Sequence, residues 1–216
     1  MSPTGYVAVG LLPGLLQNLA ALNLAKFVLV RRDLRLELTR KICVLGDFGV
    51  GKTSVIRRFV HGLFSADYQA TLGVNCYTRE ADFALDNSSR VHTARCVIWD
   101  IEGGREKFDL VQSYLVGCQG VLMMADVTRP NTLDILMDYQ DLLDATVPGV
   151  GVCLALNKCD LVDQLDDVSA VFERTAKTAD ELEAPWFKTS AATGHLIAES
   201  FSQLVARSVS QVGGYG

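Results

Sequence analysis

The octapeptide Gly46-Asp47-Phe48-Gly49-Val50-Gly51-Lys52-Thr53 has the spacing G-x-x-x-x-G-K-[ST], and its residue types serve one kind of chemistry. Glycines let the backbone curl so that successive N–H groups converge on an anion, and the positive end of a following helix adds to the attraction. A lysine at position 52 reaches the outer phosphates of a nucleotide, and the hydroxyl of Thr53 is a magnesium ligand. The loop stands where this mechanism needs it, after the apolar run KICVLG (41–46) and before a helical pattern over 52–62. Such a loop by itself suits GTP- and ATP-hydrolysing proteins and kinases alike.

A second string selects the base. Asn157-Lys158-Cys159-Asp160 follows the apolar run GVCLALN (151–157), about 105 residues beyond the phosphate loop, and Thr189-Ser190-Ala191 comes later in the chain. Ligands of open α/β sheets bind at the carboxyl ends of strands. A carboxylate there accepts hydrogen bonds from the N1–H and 2-amino edge of guanine, which adenine does not present. Discrimination follows because the wrong base leaves buried polar groups unpaired.

These loops need a frame, and the apolar runs supply it. Runs at 41–46, 94–101, 120–127 and 151–157 are short and continuously apolar, as expected of strands covered on both faces. Helical patterns at 52–62, 107–116, 131–145, 166–182 and 195–209 alternate with them. Alternation of this kind implies βαβ units and a parallel sheet with right-handed crossovers. Residues 75–86 and the run ending at 101 read as a hairpin turning at Asp86, Asn87 and the two serines, which adds one antiparallel edge strand. The expected fold is a three-layer α/β/α sandwich on a mostly parallel six-stranded sheet. Residues 39–210 form the domain, 1–38 an extension and 211–216 a short tail.

Composition fits a folded protein, with 49% hydrophobic and 21% charged residues. The net charge of −5 offers no support for nucleic-acid binding, which needs clustered Lys and Arg. Six scattered cysteines form no C-x-x-C pair and fall largely in apolar runs, so they read as small buried hydrophobes. His61, His92 and His195 lack metal spacing, and Trp99 and Trp186 read as core.

With these residues in hand, 41 to about 205 resembles a Ras-superfamily GTPase, nearest to the Rab branch and its bacterial and archaeal Rab-like relatives. KICVLGDFGVGKTSVIRRFVHGLFSADYQATLGV resembles a phosphate loop, first helix and first switch. WDIEGGREKF resembles the second switch, and NKCD and TSA the guanine loops. The resemblance implies GTP or GDP as ligand with Mg2+ as cofactor, bound by the loop residues 46–53, Ser54 and the following positions. Thr71 binds magnesium beside Thr53 and senses the γ-phosphate; Asp100 holds the metal through water; the Gly103 amide meets the γ-phosphate. Lys52, Thr71 and Gly103 are thereby the catalytic candidates. Phe64 packs on the guanine face, Asn157, Lys158 and Asp160 frame the base, and Ser190 and Ala191 close it. Effectors, and activating or exchange proteins, are the partners implied through the two switch segments.

Departures from the family pattern lie in the catalytic machinery. Where the family has Ala-Gly-Gln, this chain has Glu102-Gly103-Gly104, so the water-positioning glutamine is missing and slow hydrolysis is expected. Glu102, Arg105 and Glu106 are the nearby substitutes. Phe48 is bulky where relatives carry a small residue, and it crowds the approach of an arginine finger. A nucleotide-dependent scaffold with almost no turnover is the rival reading, and a P-loop ATPase or kinase a minor one.

Residues 6–30 are apolar, and Arg31, Arg32 and Arg35 follow in the positive-inside position. Pro13, Gln17, Asn18 and Lys26 interrupt the run, while Leu12, Leu15, Leu16, Leu19 and Leu22 share a helical face. A helix lying on a membrane or partner, a true span and no membrane role, including a misplaced start codon, all remain open. A signal peptide is not expected, because no basic segment precedes the run. The closing SVSQVGGYG has no cysteine and position 2 is serine, so neither prenylation nor N-myristoylation is expected. The expected location is cytoplasmic, peripheral at the inner membrane face.

Overall fold

The computed structural model describes residues 37–65, 71, 73–85, 91–104 and 107–210. The extension before Glu37, the hairpin turn, Arg105, Glu106 and the tail lie outside the described residues. In chain order the strands are β1 (Glu37–Gly46), β2 (Val74–Ala84), β3 (Val91–Ile101), β4 (Gly120–Asp126), β5 (Gly151–Asn157) and β6 (Trp186–Lys188). The helices are α1 (Lys52–His61), α2 (Phe108–Leu115), α3 (Asp134–Thr146), α4 (Val168–Glu181) and α5 (Ile197–Ser210).

Every residue of β4 and β5 is buried, which is what continuous apolar runs become when helices cover both faces of a sheet. The sheet order is β2-β3-β1-β4-β5-β6. Neighbours run parallel except β2, which pairs antiparallel with β3 from Val74↔Ile101 to Ala84↔Val91. Alternate residues of β1 feed two cores. Cys43 and Leu45 join α2, α3 and α4 on one face, while Ile42 and Val44 join α1 and α5 on the other. On that second face Phe59 and Phe201 stack with centroids 4.0 Å apart, fixing α1 against α5. The expected sandwich and single antiparallel edge are both present.

Local differences have physical causes. The sixth strand, β6, spans three residues between α4 and the Thr189 loop, too short to make a recognisable apolar run. α3 begins at Asp134 and not at 131, because Pro130 starts a 3-10 turn over Pro130–Leu133. α4 starts at Val168, where the Asp167 carboxylate caps it by accepting from the Ala170 amide at 3.0 Å.

The cysteine expectation needs one correction. Cys76 is exposed on the β2 edge, where one face of the strand meets solvent, and Cys159 is half-buried. The other four are buried, and burial pushes the thiol of Cys96 up to about 11 and that of Cys153 to about 12. Trp99 and Trp186 are half-buried against the core, short of the full burial expected of core residues. Among the described residues no His, Cys, Asp or Glu cluster of metal-binding form occurs, and no helix is long and apolar enough to cross a membrane.

Candidate functional site

Between β1 and α1 the chain must turn sharply under the end of β4. Gly46 has φ 148°, and a Cβ there would lie 2.3 Å from the Met124 carbonyl oxygen, so only glycine fits. No side chain caps α1 at Gly51, which leaves the first-turn amides of Lys52, Thr53 and Ser54 directed at whatever anion the loop holds. Lys52 is buried, and its ammonium donates to the carbonyls of Gly46 and Asp47, both at 2.9 Å. Burial lowers its pKa to about 8, against the opposing pull of Asp100, Asp47 and Glu102. Phe48 is exposed and lines the cavity with Gly49, while Val50 is core, its carbonyl accepting from Asn157.

Three oxygen-bearing side chains meet beside Lys52. The Thr53 hydroxyl donates to Asp100 Oδ2 at 2.7 Å and lies 2.8 Å from the Thr71 hydroxyl, which is 3.4 Å from the same carboxylate oxygen. Asp100 is fully buried, its Oδ1 has no hydrogen-bond partner among the described residues, and burial raises its pKa despite Thr53 and Lys52. A buried carboxylate oxygen left unpaired beside two hydroxyls is an all-oxygen donor set, which suits a hard divalent cation such as magnesium. Gly103 packs close by: a Cβ on it would fall 2.2 Å from the Gly46 carbonyl oxygen and 2.5 Å from Lys52 Nζ.

At the far end of the cavity, Asn157 ties the second loop to the first. Its Nδ2 donates to the Val50 carbonyl at 2.9 Å, and its Oδ1 accepts from the Ala191 amide at 3.2 Å. The Ser190 hydroxyl donates to Asp160 Oδ1 at 2.5 Å, orienting that carboxylate. Lys158 adopts a left-handed φ of 64°, which turns the chain out of β5. The cavity between these loops measures about 240 Å³ and is lined by Lys52, Thr53, Phe64, Thr71, Asn157 and Asp160 among others. Phe64 stands partly exposed on its wall. Asp47, Val50, Asp100, Gly103 and Ser190 support the cavity without lining it.

The Ras family sequence model matches residues 41–210, a span that holds all of these loops and all of the strands but the first four residues of β1. The chain belongs to the Ras family. Among its relatives are human Ras-related protein Rab-22A, 32% identical over 169 residues (77% of this chain and 82% of the relative), and mouse Rab-32, 35% identical over 159 residues (70% and 67%). Dictyostelium discoideum Rab-32A is 34% identical over 164 residues (70% and 69%). The protein is therefore a Rab-like small GTPase, a switch that binds GTP and hydrolyses it to GDP.

In this GTPase the structure adds a hub that the motifs did not announce. Asp126, at the end of β4, is fully buried and accepts from Lys158 Nζ at 2.6 Å, Arg129 Nε at 3.0 Å, and the Thr128 amide and hydroxyl at 3.0 and 2.7 Å. Arg129 Nη2 then donates to the Phe48 carbonyl at 2.9 Å, so one carboxylate links the second loop to the phosphate loop. The only sequence signal was an acidic residue closing a strictly apolar strand, GVLMMAD. Glu102, one of the nearby substitutes for the missing glutamine, is already engaged. Its Oε2 accepts from the Gly73 amide at 2.9 Å and its Oε1 lies 3.7 Å from Lys107 Nζ.

Proposed function

We propose that this small GTPase turns GTP over slowly and works as a long-lived switch. The observation that carries the reading is the second-switch segment: Gly104 has no side chain to orient water, and the carboxylate of Glu102, two residues before it, is bound to Gly73. The exposed Phe48 on the phosphate loop adds to it by crowding the approach of an external arginine.

In this reading Lys52 and the amides of residues 46–54 hold the phosphates, Asp160 reads the guanine edge, and Asn157 and Lys158 brace that loop. Ser190 orients Asp160, Ala191 closes the base site, and Phe64 covers its face. Thr53, Thr71 and Asp100 hold Mg2+, which supplies neutralisation of phosphate charge when bound. The protein's own part is positioning: Lys52, fixed by two carbonyls, presents its remaining proton toward the outer phosphates, and the Gly103 amide offers a second donor there. Partners read the segments around Thr71 and Gly103, whose arrangement depends on the bound nucleotide. Residues 39–210 make up this domain, and the protein is cytoplasmic; residues 6–30 of the extension contact a partner or a membrane surface, the second of which puts the protein at the inner membrane face.

The test is mass-spectrometric identification of the nucleotide that copurifies with the protein, followed by single-turnover hydrolysis in magnesium buffer. GTP as the main copurified nucleotide and a rate well below roughly 10⁻⁴ s⁻¹ are expected. A rate at or above that value refutes slow turnover, and complete absence of hydrolysis with GTP retained makes the protein a GTP-dependent scaffold.

A further inference from the structure

The last ladder pair between β2 and β3 is Val74↔Ile101, and the next residues on each strand are Gly73 and Glu102. The Glu102 amide donates to the Gly73 carbonyl at 2.9 Å. The reverse bond is not made by backbone: the Gly73 amide is held by the Glu102 carboxylate, also at 2.9 Å. Gly73 is thus gripped at both its polar groups by one residue. Two positions upstream, the Thr71 hydroxyl rests 2.8 Å from that of Thr53 and 3.4 Å from Asp100 Oδ2. A small residue at 102 leaves the Gly73 amide to water, whereas a carboxylate makes a charge-assisted bond of about twice ordinary strength.

We infer that Glu102 is a positioning residue that tethers the first switch to the second, holding Thr71 against Thr53 and Asp100 without help from a γ-phosphate. In a GTPase of this type the first switch relaxes when the γ-phosphate contact is lost. Here the tether comes from the chain itself, so the Gly73 amide keeps its partner and Thr71 its place beside Thr53 in both nucleotide states. A partner that reads the start of β2 binds the GDP and GTP forms with similar affinity, since a ligand contacting a segment common to both states shifts neither. The inference rests on the guanine-nucleotide reading of the site, but the tether involves protein atoms alone.

The experiment is amide hydrogen exchange at Gly73, measured by NMR in the magnesium complexes of GDP and of a non-hydrolysable GTP analogue. In the natural protein the two rates are expected to agree within about threefold. Glu102→Ala raises the GDP-form rate by about tenfold, while Glu102→Gln, which keeps an oxygen acceptor without the charge, stays within about threefold of the natural protein. Rapid exchange at Gly73 in the natural GDP form, or a glutamine variant that behaves like the alanine one, overturns the tether. If the protein takes up no guanine nucleotide, the functional reading fails separately, and the tether is judged on the nucleotide-free protein, where Glu102→Ala must still expose Gly73.

Discussion

Replacing Asp126 by asparagine changes one oxygen to an amide nitrogen and leaves the shape intact. Both carboxylate oxygens of Asp126 face donors, Lys158 and Arg129 on Oδ2 and the two Thr128 groups on Oδ1. Either amide orientation therefore sets an N–H group against N–H or O–H groups at 2.6–3.0 Å, and the Lys158 and Arg129 charges lose their counter-ion. Breaking a buried pair from one side costs about 3–5 kcal/mol when the remaining charge stays buried. Lys158 and Arg129 keep 33% and 41% of their side-chain surface exposed and can turn to water, which places the loss near the lower end, about 3 kcal/mol. For a domain of this size that is a fall in Tm of roughly 6–12 °C. Release of a fluorescent GDP should quicken by about tenfold or more as Lys158 and the Phe48 carbonyl lose their anchor. The ion pairs also set an acid limit. Burial alone would raise the Asp126 pKa, but the bonds from Lys158, Thr128 and Arg129 outweigh it and hold the carboxyl below its ordinary 3.8. Its contribution is complete above the unfolded-state value near 3.8 and is lost as the pH falls through the lower folded-state value. The natural protein should thus lose stability relative to Asp126→Asn on acidification. A variant with Tm within about 2 °C of the natural protein and unchanged GDP release would refute the hub.

Asp160→Ala removes the carboxylate that Ser190 orients, and competition binding should show the preference for guanosine over adenosine nucleotides falling by at least about a hundredfold. An unaltered preference would move base recognition elsewhere. In protein stripped of nucleotide, the Lys52 ammonium is protonated at a cost, because its folded-state pKa of about 8 lies below the ordinary 10.5. The unfolded chain therefore binds the extra proton between those values, and stability should rise from pH 8 to 10.5 by up to about 3 kcal/mol. Urea denaturation reads this directly, and Lys52→Met should flatten the profile; equal profiles for the two proteins would place the titration on another group.

Features with strict local chemistry were legible in the sequence. The glycine-lysine spacing, the Asn157–Asp160 string and the apolar strands each reflect a constraint within one short segment, and all were located within a few residues. The features that escaped are set by tertiary partners. β6 is three residues held by pairing from Leu154 to Leu156, and nothing in WFK alone makes it a strand. Asp126 reads as an ordinary strand end until β5 brings Lys158 and the 3-10 turn brings Arg129 onto it. Cys76 shares a face of β2 with Thr78, Glu80 and Asp82 and is exposed with them, since only Ala81 and Phe83, on the opposite face, are covered deeply.

Asp126, which the sequence left unassigned, and Glu102, which it offered only as a substitute for the missing glutamine, have a common physical role. Each sits at the carboxyl end of a strand and binds a loop that the family motifs treat as independent: Asp126 joins the loop after β5 to the loop between β1 and α1, and Glu102 joins the end of β3 to Gly73. A motif records the atoms that touch nucleotide, which are constrained by ligand shape and so recur at fixed spacing. Bonds between loops carry no such spacing rule, because any residue whose side chain spans the gap will serve. Their energy also differs in kind. Contacts to nucleotide vanish with it, whereas the Asp126 and Glu102 bonds are made between protein atoms alone.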